Sequence, residues 1–218
     1  TEVRGNFDHY DLYGSNCNVD HPVAWIAEAR LANRAWQAAT WTSAGAWCGC
    51  AATQPLYYDY GNNVTYENDN VYVNGQDAGT TQQYYGQASA LAQSGATAEA
   101  PSDGDWLPLG VFALTKADQH NSIVTIQLAV NKQGVIRGNY TDTATEKTMV
   151  IQGAVDKQTQ RVAFTVGDNK TNLIETGLYN LTKDEAPALV HVGNDQTAQY
   201  LLVRLDKDAQ AANGSPTS

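Results

Sequence analysis

The chain has 218 residues, 42% of them hydrophobic, and a formal net charge of −10, so it can bury a core without disulfide bonds. The first 105 residues contain three arginines and no lysine against 12 acidic residues, and a chain without a basic cluster repels phosphate backbones and anionic headgroups. We therefore expect no nucleic-acid partner. No apolar run approaches the roughly 20 residues of a membrane span, and no signal-peptide pattern opens the chain, so we expect a soluble protein without membrane insertion.

The first predicted element is an amphipathic helix over residues 20–40. Asp20 suits the N-cap and Pro22 suits the first turn, and apolar residues follow at helical spacing. Trp25 and Trp36 belong to that apolar stripe. We expect this stripe to face the core.

Residues 57–79 predict a β-hairpin or a three-stranded meander. Two short runs alternate apolar and polar side chains, a cluster of turn formers separates them, and the Asn-Gly pair at 74–75 is the strongest signal for a two-residue turn. The pattern indicates strands packed on the flanking helices.

The same stretch is rich in tyrosine, and its tyrosines are weak candidates for a surface on which sugar rings or side chains of a partner stack. Packing between the strands and the helices is the favoured explanation, and both remain open. The candidates are Tyr57, Tyr58, Tyr60, Tyr66 and Tyr72.

A second helix is predicted over about residues 81–93. Thr80 or Thr81 suits its N-cap, an apolar stripe follows, and Gly95 suits the left-handed position after a helix. A segment rich in Ala, Ser, Gly, Pro and Asp then indicates a boundary, so residues 1–100 form one α+β region.

The region 106–206 predicts eight antiparallel strands joined by short turns. Such a series closes into an up-and-down β-barrel because closure leaves no exposed edge, with a flattened sandwich as the alternative. The predicted fold class is therefore α+β, with a barrel after the helices and hairpin. Residues 207–218 have nothing to bury and predict a disordered tail. The eight runs are LGVFALTK, SIVTIQLAV, VIRGNYTD, TMVIQGAV, RVAFTVG, LIETGLYNL, ALVHVG and AQYLLVRL.

Aliphatic and aromatic side chains recur along these strands. We expect these residues, or the residues next to them in each strand, to face the barrel interior. An eight-stranded barrel can be filled by side chains alone, so we expect an interior without a ligand cavity. The candidate filling residues are Val124, Ile126, Leu128, Val150 and Phe164.

Three cysteines lie in the first half, at Cys17, Cys48 and Cys50. One disulfide between Cys17 and either of the others is one interpretation. A zinc site that adds His21 is another, and it would support a metal-dependent hydrolase, although the spacings match no common zinc ribbon or finger. We expect no metal and no cofactor.

The hairpin loops also contain oxygen-bearing side chains of the kind that bind calcium. Asp69, Asn70, Asn74 and Asp77 supply oxygen ligands but miss the EF-hand spacing, so turn formation explains them better. The chain also lacks a Gly-x-Ser-x-Gly elbow, a phosphate loop and a dinucleotide fingerprint. We therefore expect that the protein is not an enzyme.

Three of the barrel segments resemble the avidin-type fold: QGVIRGNY, ETGLY and AQYLLVRL. The resemblance implies a closed barrel. In that family tryptophans and small hydroxyl residues at one barrel mouth hold biotin, and Tyr140 falls where a pocket tyrosine is expected. The fifth strand has no tryptophan, and Leu173 and Ile174 stand where polar pocket residues belong. The resemblance therefore extends to the barrel shape and not to biotin binding.

A second resemblance spans most of the chain. Its segments are similar to a bacterial family labelled mu-protocadherin cell-surface proteins, which implies a secreted or cell-surface location and a non-enzymatic structural or binding module. The implied partner is a protein or a carbohydrate at the cell surface, and a small-ligand carrier that uses the barrel interior is an alternative. The matching segments include HPVAWIAEARLANRAWQAATW, QPLYYDYGNNVTYENDNVYVNGQ and GLYNLTKDEAPALVHVG.

Overall fold

A small three-stranded sheet and a closed eight-stranded barrel make up the β-structure of this computed structural model, which describes residues 2–7, 37–50, 54–100 and 105–205. The helices are α1 (Glu2–Asn6), α2 (Trp41–Cys48) and α3 (Thr81–Thr97), and the small sheet holds β1 (Val64–Glu67), β2 (Asn70–Val73) and β3 (Gln76–Thr80). The barrel strands are β4 (Trp106–Thr115), β5 (Val124–Asn131), β6 (Val135–Asp142), β7 (Lys147–Val155), β8 (Arg161–Val166), β9 (Leu173–Gly177), β10 (Glu185–Val192) and β11 (Gln196–Leu205). The predicted α+β class with a barrel is confirmed.

Helix α2 was not predicted. Thr40 caps it and exchanges hydrogen bonds with Ser43 in a capping box, and Gly49 ends it in the left-handed conformation. The expected helix over 20–40 is wrong at its end, because residues 37–40 are not helical and Thr40 begins a new helix. Most of that predicted helix lies outside the described residues.

The small sheet is the predicted meander, in the order β1-β2-β3. Both of its turns have two residues with positive φ: Asn68 and Asp69 in the first, Asn74 and Gly75 in the second. This is the backbone that matches the right-handed twist of paired strands, and Asn, Asp and Gly adopt it at low cost.

Helix α3 follows directly on β3. Thr80 accepts a hydrogen bond from the Gln83 backbone N–H, and the Gln83 side chain accepts from the Thr80 backbone, which completes a capping box. The helix runs four residues past its predicted end. The prediction that Gly95 is a left-handed cap is wrong: Gly95 is a buried helical residue that lies against the backbone of β7.

The barrel pairs its strands in the order β10-β11-β4-β5-β6-β7-β8-β9, and β9 pairs with β10 to close it. Every pair is antiparallel, and each of the eight predicted runs overlaps one of these strands. The register fixes the faces: Ile126, Tyr140 and Met149 stand opposite one another in successive strands and face inward. Residues that alternate with them face outward.

One end of the barrel is closed. Ala44 and Cys48 of α2 join the core cluster there, and Leu178 and Leu181 pack into it from the turn after β9. Arg204 also lies at this end, where it donates a hydrogen bond to the Leu109 carbonyl at 3.0 Å and another to the Leu181 carbonyl.

No helix in the described ranges is both long and apolar enough to cross a membrane. The predicted tail over 207–218 lies outside the described residues.

Candidate functional site

The opposite end of the barrel is open. A cavity of about 570 Å³ lies where β4 ends and β5 begins, bordered by the β4–β5 and β8–β9 loops. Ligand sites typically occupy about 300–1,000 Å³. The open mouth therefore has the size of a site for one small molecule.

The walls of this cavity are the inward residues of seven strands. β4, β5 and β6 supply Leu114, Val124 and Tyr140, and β8 to β11 supply Phe164, Val166, Ile174, Val190 and Tyr200. These side chains extend the apolar core toward the open end of the barrel, so the floor and the walls of the cavity are aliphatic and aromatic.

The rim adds polar side chains and an exposed apolar one. Ile123 in the β4–β5 loop lines the cavity and is 58% exposed, and Leu173 lies at its edge. The polar rim residues are Gln119, Asn121, Ser122, Asn169 and Asn172, and none of the described lining residues is charged. A charged ligand would find no counter-charge in this cavity, whereas an apolar body with a neutral polar group matches it.

Two tyrosines, Tyr140 and Tyr200, line the cavity. Burial, then the nearby Asp142 and Tyr200, raise the pKa of Tyr140. The ammonium of Lys116 lies 5.8 Å from the centre of the Tyr200 ring, on the rim side. Both phenols therefore offer a hydroxyl that can donate or accept a hydrogen bond.

The expectation of a completely filled interior is wrong at this end. Ile126, Leu128 and Phe164 are buried in the core as expected, but Val124 lines the cavity. Val150 alternates with the buried Ile151 and faces outward. The inward side chains fill the end that α2 covers and leave the mouth open.

The predicted tyrosine surface is divided by the structure. Tyr58 and Tyr60 are buried in one cluster with Val64, Val71 and Tyr84, so they pack the small sheet onto the barrel. Tyr58 donates through its hydroxyl to the Thr159 carbonyl at 2.7 Å and exchanges backbone hydrogen bonds with the Asn180 amide.

The other three tyrosines are more accessible but do not share one contact. Tyr66 is 38% exposed, and its ring packs edge-on against the ring of Tyr84 with 6.3 Å between the ring centres. Tyr57 is half-buried against Tyr179, and Tyr72 is half-buried in β2. The five tyrosines therefore form no common exposed platform.

The cysteine candidates are only partly described. Among the described residues no disulfide joins Cys48 and Cys50, and Cys17 and His21 lie outside the described residues, so the predicted bridges from Cys17 stay predictions. Burial raises the pKa of Cys48 to about 12, and burial also raises that of Cys50. A protonated thiol is a poor nucleophile, so neither cysteine is activated for nucleophilic catalysis in this environment.

Two of the four side chains proposed for calcium make turn contacts. Asp77 accepts a hydrogen bond from the Gly79 N–H at 2.7 Å, and Asn74 accepts one from the Asn63 amide at 3.0 Å. Within the described part of the chain, no group of three or more His, Cys, Asp or Glu side chains is gathered as a metal-ligand set.

A second cluster of ionisable residues lies on the outer barrel wall, under α3. Arg161 donates through Nε to Glu175 at 2.9 Å, and His191 Nε2 lies 3.6 Å from the same carboxylate. These are residue types used in acid–base catalysis, but all three are almost completely buried. The cluster has no access for a substrate, so it is a structural contact between α3 and the barrel.

Sequence reasoning missed most of the mouth. Of its lining residues the sequence indicated only five, as core or avidin-like positions: Val124, Tyr140, Phe164, Leu173 and Ile174. The alternation along the strands could have predicted which side chains face inward, but not at which level of the barrel these side chains stop filling the interior.

No family model matches the chain, and no curated protein and no solved structure matches it either.

Proposed function

We propose that this protein is a non-enzymatic binding module that holds a small, uncharged, largely apolar molecule in the open mouth of its barrel. The observation that carries the proposal is the cavity of about 570 Å³, whose walls are the inward apolar side chains of the strands. A secreted or cell-surface location belongs to the same proposal and is supported only by the resemblance of the sequence.

Burial of apolar ligand surface supplies the affinity. Each Å² of apolar surface removed from water contributes roughly 25 cal/mol before the costs of association are subtracted. Phe164 and Ile174 form apolar walls, and Tyr140 and Tyr200 add flat rings near the entrance. Ligands enter from solvent because the described elements that close the barrel lie at the other end.

The test is a titration with the neutral fluorescent probe N-phenyl-1-naphthylamine, whose emission rises in apolar surroundings. We expect saturable binding of about one probe per chain. The variant Val166→Phe fills part of the cavity and should weaken binding about tenfold or more, which corresponds to ~1.4 kcal/mol.

Val150→Phe is the matched control, since it adds the same ring at a half-buried, outward-facing site of β7 that does not line the cavity. It should bind the probe as the unchanged protein does. Circular dichroism checks that both variants fold, and Val124→Phe is a second filling variant. Absence of saturable binding, or equal binding in the filled and control variants, would overturn the proposal.

A further inference from the structure

Three of the four carboxamides at the cavity rim, those of Gln119, Asn169 and Asn172, share one orientation. Asn169 accepts through Oδ1 from the backbone N–H of Thr171 at 3.0 Å and of Asn172 at 2.9 Å, and Asn172 accepts through Oδ1 from the Gly193 N–H at 3.1 Å. Gln119 accepts a backbone N–H through Oε1 at 3.4 Å. A backbone N–H can only donate, so these contacts identify the oxygen of each amide.

The NH₂ groups of the same three amides donate no hydrogen bond to the described residues. All three residues are exposed at the rim and line the cavity. Ser122, by contrast, has its hydroxyl engaged by the backbone of β4 and β5, at 2.6 Å from the Leu114 carbonyl. The rim therefore has a surplus of donors.

The turn at Asn169 does not itself require an amide. Asp142 and Asp156 start two other hairpin turns, and each accepts through Oδ1 from the backbone N–H groups two and three residues later. Asn169 makes the same two contacts. A carboxylate would satisfy this turn equally well, so the NH₂ group is what the asparagine adds.

The hydroxyls of Tyr140 and Tyr200 add two further groups, since neither bonds to a described residue. Together with the amides they place donors around an otherwise apolar cavity that has no charged lining residue. An unpaired donor that a ligand covers loses its water, whereas a carbonyl or ether oxygen on the ligand would replace that water.

From these contacts we infer that the cavity selects neutral, apolar molecules that carry a hydrogen-bond acceptor, such as a ketone, ester or ether oxygen, at the end that faces the rim. This inference rests on the proposed binding function and specifies its ligand class. The rim amides determine specificity, and the apolar walls provide most of the affinity.

The test compares 9-fluorenone with fluorene, which have the same three-ring skeleton and differ by a carbonyl in place of a CH₂ group. Both displace N-phenyl-1-naphthylamine from the protein. The measured quantity is the ratio of their affinities and its change between variants, because the difference in hydration between the two compounds cancels in that comparison.

The variant Asn169→Asp/Asn172→Asp keeps the acceptor oxygens that hold the loop and replaces both NH₂ donors with carboxylate oxygens. We expect the preference for fluorenone over fluorene to fall about three- to tenfold, the value of one or two neutral hydrogen bonds. Asp142→Asn is the matched control, since it exchanges the same groups at a turn residue that does not line the cavity. It should leave the ratio unchanged.

An unchanged ratio in the double variant, while both compounds still bind, overturns the inference and leaves the proposed function intact. If neither compound nor the probe binds the unchanged protein, the proposed function fails and the inference fails with it. Should the double variant not fold, the two single variants provide the same test, each with a smaller expected change.

Discussion

The Glu175 carboxylate is removed from water completely, and α3 packs over the outer wall of β9. Burial alone would raise the pKa of Glu175, but the charge of Arg161, with a contribution from His191, outweighs it and holds this pKa below its ordinary value. Arg161 also donates to the Tyr84 carbonyl at 3.1 Å and lies 3.6 Å from the centre of its ring. One guanidinium thus joins a barrel carboxylate to the backbone of α3.

Removal of one partner of this pair should strongly destabilise the fold. Arg161→Met leaves the Glu175 charge buried without its cation, and Glu175→Gln leaves the guanidinium without its anion, so each should lower the free energy of unfolding by ~3–5 kcal/mol. The double variant should cost less than the sum of the two, because it leaves neither charge unpaired. Urea unfolding of the three variants measures this coupling.

Asp105→Asn is the control for charge removal, since it breaks an exposed pair with Lys132 at 2.6 Å. Solvent screens such pairs, and we expect almost no change in stability. Additive losses in the Arg161 and Glu175 variants would contradict a coupled buried pair.

The sequence did not predict this cluster. Arg161 and Glu175 alternate with the inward residues Val162 and Ile174, and a polar residue at an outward strand position normally indicates contact with solvent. Only the packing of α3, whose Tyr84 is 77 positions from Arg161, buries them. A contact of that separation leaves no local pattern.

At the scale of elements, the close approach of α3 to β7 depends on Gly95. A Cβ on Gly95 would lie 1.8 Å from the Gly153 carbonyl oxygen, so no side chain fits between the helix and the strand. On the same helix, Gly86 is exposed and a Cβ there would meet no atom within 4 Å. The helix thus contains one glycine that its packing needs and one that it does not need.

We predict opposite effects for the same substitution at these two positions. Gly95→Ala must push α3 away from the barrel and should destabilise the protein by ~1–3 kcal/mol, the typical cost of overpacking. Gly86→Ala should stabilise it by ~0.5–1 kcal/mol, because alanine loses less conformational entropy in a helix. Thermal and urea unfolding compare the two. Equal stability of the variants would show that the α3–β7 contact is not limited by Gly95.

The elements that the sequence predicted well are those with local causes. The two turns of the small sheet require residues with positive φ, and the Asn, Asp and Gly residues at these positions indicate such turns in the sequence. The prediction of a cap at Gly95 was wrong because this glycine is required by its contact with Gly153, a strand residue 58 positions later. Helix α2 was not predicted because the helical spacing of apolar residues continues up to Thr40. The predicted helix over 20–40 therefore included the residue that caps α2.

For the whole molecule, the eight strands and their antiparallel closure followed from alternation and short turns, and the structure confirms both. The open mouth did not follow, since alternation predicts which side chains face inward but not how far they reach across the barrel. Phe112 and Phe164 fill the core, whereas Val166 and Val190 nearer the mouth line a cavity. The asymmetry between the two ends arises from tertiary packing.

The buried pair also determines how the whole molecule responds to acid. The pKa of Glu175 is lower in the folded protein than its ordinary value of 4.5, so the folded state favours the carboxylate form. The stability from this group is therefore fully present above pH 4.5 and is lost as the pH falls from there through the folded pKa. Tyr60 and Tyr84, which also face this carboxylate, have raised pKa values from burial and stay protonated throughout that range.

We predict that the free energy of unfolding decreases below pH 4.5 and that part of this decrease disappears in Arg161→Met/Glu175→Gln. One titrating group contributes at most ~1.4 kcal/mol per pH unit, so the stability difference between the unchanged protein and this variant should narrow at up to that rate. Urea unfolding from pH 5.5 to pH 3 measures the difference directly, and the other carboxylates affect both proteins alike. A difference that stays constant over this range would show that Glu175 is not the carboxylate that links the docking of α3 to acid stability.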